Sequence, residues 1–361
     1  GKCSRKFHFS MHAACLQPIT ARAPLHGVAR GCRHRAPMRI SAVSLVPPPH
    51  GGFNQKNKHG FTNVMVVPKT READADRVVR SHERWVNSTH VVGPEGDEDD
   101  FGHPRLLEYY VTKGPEVVDA LDPRSDGNAT GNVVYVFNLK FVSRFGVDQH
   151  FRMSSEGWGD HELLMDMMRE HGRFFDRGGR IVANYVDDAP ACTARKGDRA
   201  TNVILRVPAM DESTADALIR DHQQLMRRTH HFTTQLDYDE LRPRITQYQV
   251  SKHLVREDPW DTRSALTGDV HYCFHTTFVD ALGIRGHRNV AQINPEVYQR
   301  MTPFFLKYGV HADVENHAVF ANMQRPNFVS NIIRGVGKLF VKTEQDVALQ
   351  EFEARLNQPR L

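Results

Sequence analysis

No aspartate or glutamate occurs in the first 71 residues; the first acid is Glu72. The same stretch holds 12 lysines and arginines, so the rest of the chain carries a net −8 beneath a whole-chain value of +4. Near-neutrality is thus the average of two unlike pieces. A second absence is any run of 18 apolar residues, which excludes a membrane-spanning helix. Cysteine is scarce and odd in number: Cys3, Cys15, Cys32, Cys192 and Cys273, with no CxxC. That excludes a disulfide framework and makes reducing surroundings the default. Neither phosphate-binding pattern, GxGxxG or GxxxxGK[ST], is present. The nearest approach is Gly335-Val336-Gly337-Lys338, read as a turn before a tail strand, Leu339 to Val341, and a tail helix, Glu344 to Leu356.

The acid-free piece also lacks periodicity. Pro18, Pro24, Pro37 and Pro47-Pro48-Pro49 break it, with Gly27, Gly31, Gly51 and Gly52 between. It reads as an extended basic arm over 1–59 without a core of its own. Such composition also suits an organellar presequence; the arm is expected to be retained and to lie against phosphate or a partner protein, with RNA placed first. Arg22, Arg30, Arg33, Arg35, Arg39, Lys56 and Lys58 are the expected RNA-binding residues, because each cation near a phosphate releases counterions. Cys3, His8, His12 and Cys15 are four soft ligands whose spacing fits no common zinc finger, and no metal is expected.

Beyond the arm, the chain is written twice. Thr62-Asn63-Val64-Met65-Val66-Val67-Pro68 returns as Thr201-Asn202-Val203-Ile204-Leu205-Arg206-Val207-Pro208. Asp76, Arg80, His82, Thr89 and His90 fall on Asp216, Arg220, His222, Thr229 and His230. Tyr109 and Lys113 match Tyr248 and Lys252, Tyr135 and Phe137 match Tyr272 and Phe274, and Ala183-Asn184 matches Ala321-Asn322. Identity kept in register over so long a stretch marks an internal duplication. Apolar runs, helical spacing and β-branched stretches give each copy the order βαββαβ. Asp160 is expected to cap the second helix and Gly172 to end it. The expected fold is α+β: two tandem ferredoxin-like repeats, 60–192 and 193–330, packed sheet to sheet as a pseudo-dimer, with the arm before them and a helical tail over 331–361.

His82 and His222 are the sharpest chemical candidates, since both copies keep them on the first helix. As catalytic groups they would be general bases between sheet and helix. As packing groups they would cap the core or pair with neighbouring acids. No carboxylate sits at a fixed partner spacing in both copies, so packing is preferred, with no catalytic residue and no cofactor. Tyr135/Phe137 and Tyr272/Phe274 share a strand face, yet the basic residue and glycines of an RNA-recognition motif are missing. These rings are expected to bury against the partner sheet.

The tandem βαββαβ plan resembles the dimeric α+β barrel superfamily, which includes stress-responsive barrel proteins, small monooxygenases and YCII-related proteins. His161-Glu162-Leu163-Leu164 through Glu170-His171-Gly172-Arg173-Phe174-Phe175 and Gly178-Gly179 resembles the YCII-type helix and turn. The basic arm, duplicated fold and helical tail also resemble lineage-specific subunits of mitochondrial ribosomes. That second resemblance implies a non-catalytic structural subunit in the mitochondrial matrix, in contact with rRNA or neighbouring subunits. A respiratory-chain or ATP-synthase accessory subunit is one alternative. An α+β-barrel enzyme or small-ligand binder imported into an organelle is the other.

Overall fold

A computed structural model describes residues 58–93, 96–99, 102–121, 127–184, 194–232, 243–313 and 317–323. Residues 1–57, the GxGK turn and the expected tail elements lie outside these. The described chain is an α+β fold with a mixed, many-stranded sheet. Its first half runs β1 (His59–Pro68), α1 (Glu72–Thr89), β2 (Arg105–Val117), β3 (Ala129–Phe141), α2 (Arg144–Gly157), α3 (His161–His171) and β4 (Gly179–Asn184). The second runs β5 (Arg199–Pro208), α4 (Glu212–Thr229), β6 (Arg244–Arg256), β7 (Leu266–Phe278), α5 (Ala281–Ile293), α6 (Pro295–Tyr308) and β8 (His317–Asn322). Short strands at Val91–Val92 and His231–Phe232 add the parallel pairings.

The eight long strands close on themselves. Within the halves β1 pairs β3, β3 pairs β2, β5 pairs β7 and β7 pairs β6, all antiparallel. Between the halves β4 pairs β6 and β8 pairs β2. Contacts of β1 with β4 and β5 with β8 complete the ring. The expected meeting of two sheets is therefore a joining of their edges, which leaves no long edge strand open among the described residues.

Closure explains why β1 is apolar on both faces. Met65 and Val67 point to the helices, where the main core of the first half lies. Val64 and Val66 point inward and meet Val134, Val136, Phe174, Ile204 and Cys273. Toward one end the lumen turns polar. The Asn202 amide donates to Thr112 at 3.0 Å, and the His275 Nδ1–H donates to the Asn202 carbonyl at 2.7 Å. His275 Nε2 then accepts from Thr62 at 3.0 Å, a bond that crosses between the halves.

Three local expectations are corrected. Met65 lies opposite Tyr135 and Leu205 opposite Tyr272, so Val64 corresponds to Ile204 rather than Val203. A slip of one residue would have turned the whole strand inside out. Tyr135, Phe137, Tyr272 and Phe274 face their own helices, not the partner sheet. Finally, the Asp160 side chain does not cap α3; its carboxylate accepts from the Ser81 hydroxyl on α1. Helices α2 and α5 were not anticipated. Gly146 allows α2 to sit on β3, since a Cβ there would lie 3.0 Å from the Phe141 ring.

Candidate functional site

Helix α1 brings Ser81, His82 and Trp85 onto the face that also carries Val78, Val79 and Val86, a spacing of three and four residues. The His82 ring meets the Tyr109 hydroxyl at 3.1 Å. The helix ends at Thr89, whose hydroxyl donates to the Trp85 carbonyl at 2.8 Å. That proton being committed, Thr89 accepts from His90 Nδ1–H at 2.9 Å. The bare Nε2 of His90 then accepts from His150 Nδ1–H on α2 at 3.0 Å. The second half repeats each link. His222 meets Tyr248 at 2.9 Å, Thr229 accepts from His230 at 2.9 Å, and His230 accepts from His287 at 2.9 Å.

Burial holds five of these rings, His82, His90, His150, His222 and His230, neutral. It lowers His82 and His90 to about 3, His222 to about 3 and His230 to about 2; His150 is also driven well down. A base so weak is poorly matched to proton transfer near neutral pH. The duplicated histidines are polar core, joined to tyrosine and to one another rather than to acids. Their partners were present among the matched positions, because Tyr109 and Tyr248 stand 27 and 26 residues beyond them. A second duplicated set seals the helix to the sheet. Lys113 donates to Asp76 at 2.7 Å and Tyr135 to the same carboxylate at 2.6 Å. Lys252, Asp216 and Tyr272 repeat this, with the tyrosine bond again 2.6 Å.

The halves differ where the first core reaches the surface. Trp158 stacks on Trp85 at 5.7 Å, and its Nε1–H donates to Ser81 at 3.2 Å. His161 follows, its ring 6.4 Å from Trp158. It opens on a cavity of about 340 Å³ lined by Arg144, Asp148, Phe151, Arg152, Ser155, His161, Met165, Arg177 and Thr262. Arg144 donates to Asp148 at 3.1 Å, and Arg152 to Gln149 at 2.9 Å. Arg177 lies over the Phe151 ring at 4.7 Å, and its buried Nε has no hydrogen-bond acceptor among the described residues. Burial, then Arg144, lowers the pKa of that guanidinium. Burial likewise lowers His161.

Thr262 comes from the second half, on the hairpin between β6 and β7. Trp260 of that hairpin stacks on Phe175 at 4.2 Å and 15°. The loop is braced from within: Trp260 N–H donates to Asp258 at 2.8 Å and Arg263 N–H to Asp261 at 2.9 Å. Anchoring Phe141 on Phe278 and Gly172 on Gly309 places Ala281, Arg285 and Tyr298 where the first half has Arg144, Asp148 and His161. Tyr298 turns inward, its ring 6.1 Å from His222, toward the space that Trp158 fills beside His82 at 5.1 Å.

Of the expected RNA-binding residues, Arg22, Arg30, Arg33, Arg35, Arg39 and Lys56 lie outside the described residues, as do Cys3, His8, His12 and Cys15. Lys58 is half-buried beside β1, and its carbonyl accepts from Ile181 N–H at 3.1 Å. Among the described residues no group of three or more His, Cys, Asp or Glu could hold a metal ion, and no helix is long and apolar enough to cross a membrane.

No family model matches the chain, and no curated protein does. Solved structures do. One is a candidate monooxygenase from Fusobacterium nucleatum subsp. nucleatum, 7% identical, with a TM-score of 0.41 over 74% of this chain and 95% of that one. Another is a candidate monooxygenase from Lactobacillus acidophilus, 6% identical, with a TM-score of 0.38 over 74% and 98%. A third is an anthrone oxidase-like protein, 9% identical, with a TM-score of 0.41 over 74% and 94%. None of the three is described as a ribosomal or RNA-binding protein, and the expectation of a non-catalytic, RNA-binding mitochondrial ribosomal subunit is corrected accordingly. The expectation of a non-enzyme goes with it.

Proposed function

We propose that the chain is a small-ligand-binding protein of the enzyme-like kind. Its scaffold is a pseudo-dimer of two ferredoxin-like units, 60–192 and 193–330, and its working site is the cavity of the first unit. One observation carries this reading: the half-open cavity of about 340 Å³, in which convergent charged groups meet an apolar wall. Its size is that of a small-molecule site. The repeated strand–helix order and the matching pairings of Tyr135 and Tyr272 support the two-unit description. Duplication lets one unit keep a site while the other serves as its support, and the substitutions at Ala281, Arg285 and Tyr298 fit that division. The supporting unit also closes the site, through Thr262 and the braced hairpin that carries it.

The test is a fragment screen on the full chain, read by saturation-transfer NMR and thermal shift. Fragments are expected to bind at one site per chain. Ser155→Trp, which fills the cavity from its exposed wall, is expected to abolish binding while leaving the melting temperature in place. Fragments that bind the filled variant as well as the parent would sink the reading.

A further inference from the structure

Resting on that reading of the cavity, we infer that its ligand class is a small organic carboxylate with a flat apolar body, held by Arg177. The arginines of the wall are not equivalent. Arg144 has Asp148 at 3.1 Å, and Arg152 has Gln149 at 2.9 Å and Glu156 at 3.5 Å. Among the described residues, Arg177 has no carboxylate within ion-pair distance, and its buried Nε has no acceptor. Asp148 supports the half-buried Arg177 only from beyond ion-pair distance, so an anion placed directly on the guanidinium would lower the cost of its burial. Asp148 is the single acid in the lining, set against three arginines, so the cavity as a whole is positive.

The apolar wall beside Arg177 separates an organic carboxylate from a hydrated anion. Arg177 lies over the Phe151 ring at 4.7 Å, which sets its guanidinium beside the apolar wall. A guanidinium fork can hold two oxygens of a carboxylate or of a phosphate. The neighbouring surface is Phe151 and Met165, a ring and a thioether that favour a planar apolar body over a hydrated polyanion. His161, Ser155 and Thr262 add one polar contact each around that body.

The experiment titrates the full chain with five probes: benzoate, benzamide, benzylamine, acetate and inorganic phosphate. Binding is read by calorimetry and by the Met165 methyl resonance. Benzoate is expected to bind at least tenfold tighter than benzamide and than acetate, with benzylamine and phosphate weaker still. Arg177→Met is expected to lose at least tenfold for benzoate and little for benzamide. Arg177→Lys should recover only part of the loss, because an ammonium cannot form the fork. Benzamide equal to benzoate, phosphate stronger than benzoate, or an Arg177→Met variant that binds benzoate normally would each overturn the carboxylate assignment while leaving the cavity a ligand site. If no probe of any charge moves the Met165 resonance, the cavity reading itself fails, and this inference with it. The comparison of benzoate with benzamide needs no variant, so it decides the matter even if Arg177→Met folds poorly.

Discussion

At the scale of single residues, buried histidines dominate the chemistry of this chain. His82, His90 and His222 are lowered by burial to about 3, His275 to about 3, His230 to about 2, and His150 well down. Unfolded, each titrates near 6.5. Their contribution to stability is therefore complete above pH 6.5 and is lost as pH falls toward the folded values, by up to about 1.4 kcal/mol per histidine per pH unit. With a domain's whole stability near 5–15 kcal/mol, cooperative unfolding is expected between about pH 6 and pH 5. Urea melts across that range would check it, and a flat stability from pH 7 to pH 4.5 would refute it. His253 has the opposite sign. Burial would lower it, but Asp176 beside it outweighs burial and raises it to about 10. Its contribution is full below pH 6.5 and is lost as pH rises toward 10, so His253→Gln is expected to flatten the alkaline limb of the same curve. Tyr109→Phe tests the polar core directly. It leaves His82 Nδ1 without its partner at 3.1 Å and should cost about 1–3 kcal/mol in a chemical melt.

At the scale of elements, the two junctions between the halves solve one packing problem in mirrored ways. On β4 and β6, Gly179 faces His253, and a Cβ on that glycine would lie 2.2 Å from the imidazole. On β2 and β8, Gly114 faces His317, with the added Cβ 2.4 Å away. The repeat alignment sets Gly114 on His253 and Gly179 on His317, so each junction has one histidine and one glycine, supplied by opposite strands. Each histidine also faces an aspartate at matching positions. Asp176 pairs with His253, and His317 lies 3.3 Å from Asp313. Gly179→Ala is expected to cost about 1–3 kcal/mol by overpacking. The exchange Gly179→His with His253→Gly should recover most of the loss from His253→Gly alone, as read by thermal melting. None of this was legible from the strands as sequence. Gly114 and His317 are 203 positions apart, and only the edge pairing of β2 with β8 brings them together. Helix α2 was missed for a related reason. Gly146 and the serines near its end give it weak intrinsic propensity, and the contact with Phe141 holds it in place.

At the scale of the whole molecule, the junctions also specify which halves combine. Two copies of the first half would set Gly114 against Gly179 and leave each Asp176 without an imidazole. Two copies of the second would set His253 against His317 in space made for one ring. Only the mixed pair satisfies both junctions, an arrangement that selects its partner by penalising the alternatives. Residues 58–192 and 193–323, expressed as separate chains, are expected to form a 1:1 complex in preference to either homodimer. Sedimentation of each half alone and of the mixture would check this, and equal formation of homodimers would refute it.

The sequence by itself determined the α+β class, the repeated segments and most of the strands and helices, because those depend on local spacing and on residues close in the chain. It also carried the duplicated histidines, whose tyrosine partners sit 27 and 26 residues further on. Closure of the barrel, the inward and outward faces of β1, and the cavity were decided only by the tertiary structure. The cavity joins Arg144 on α2, His161 on α3, Arg177 on a turn and Thr262 from the other half. No spacing rule links those residues, since their meeting depends on how two helices lie on the sheet and on which edges the halves share.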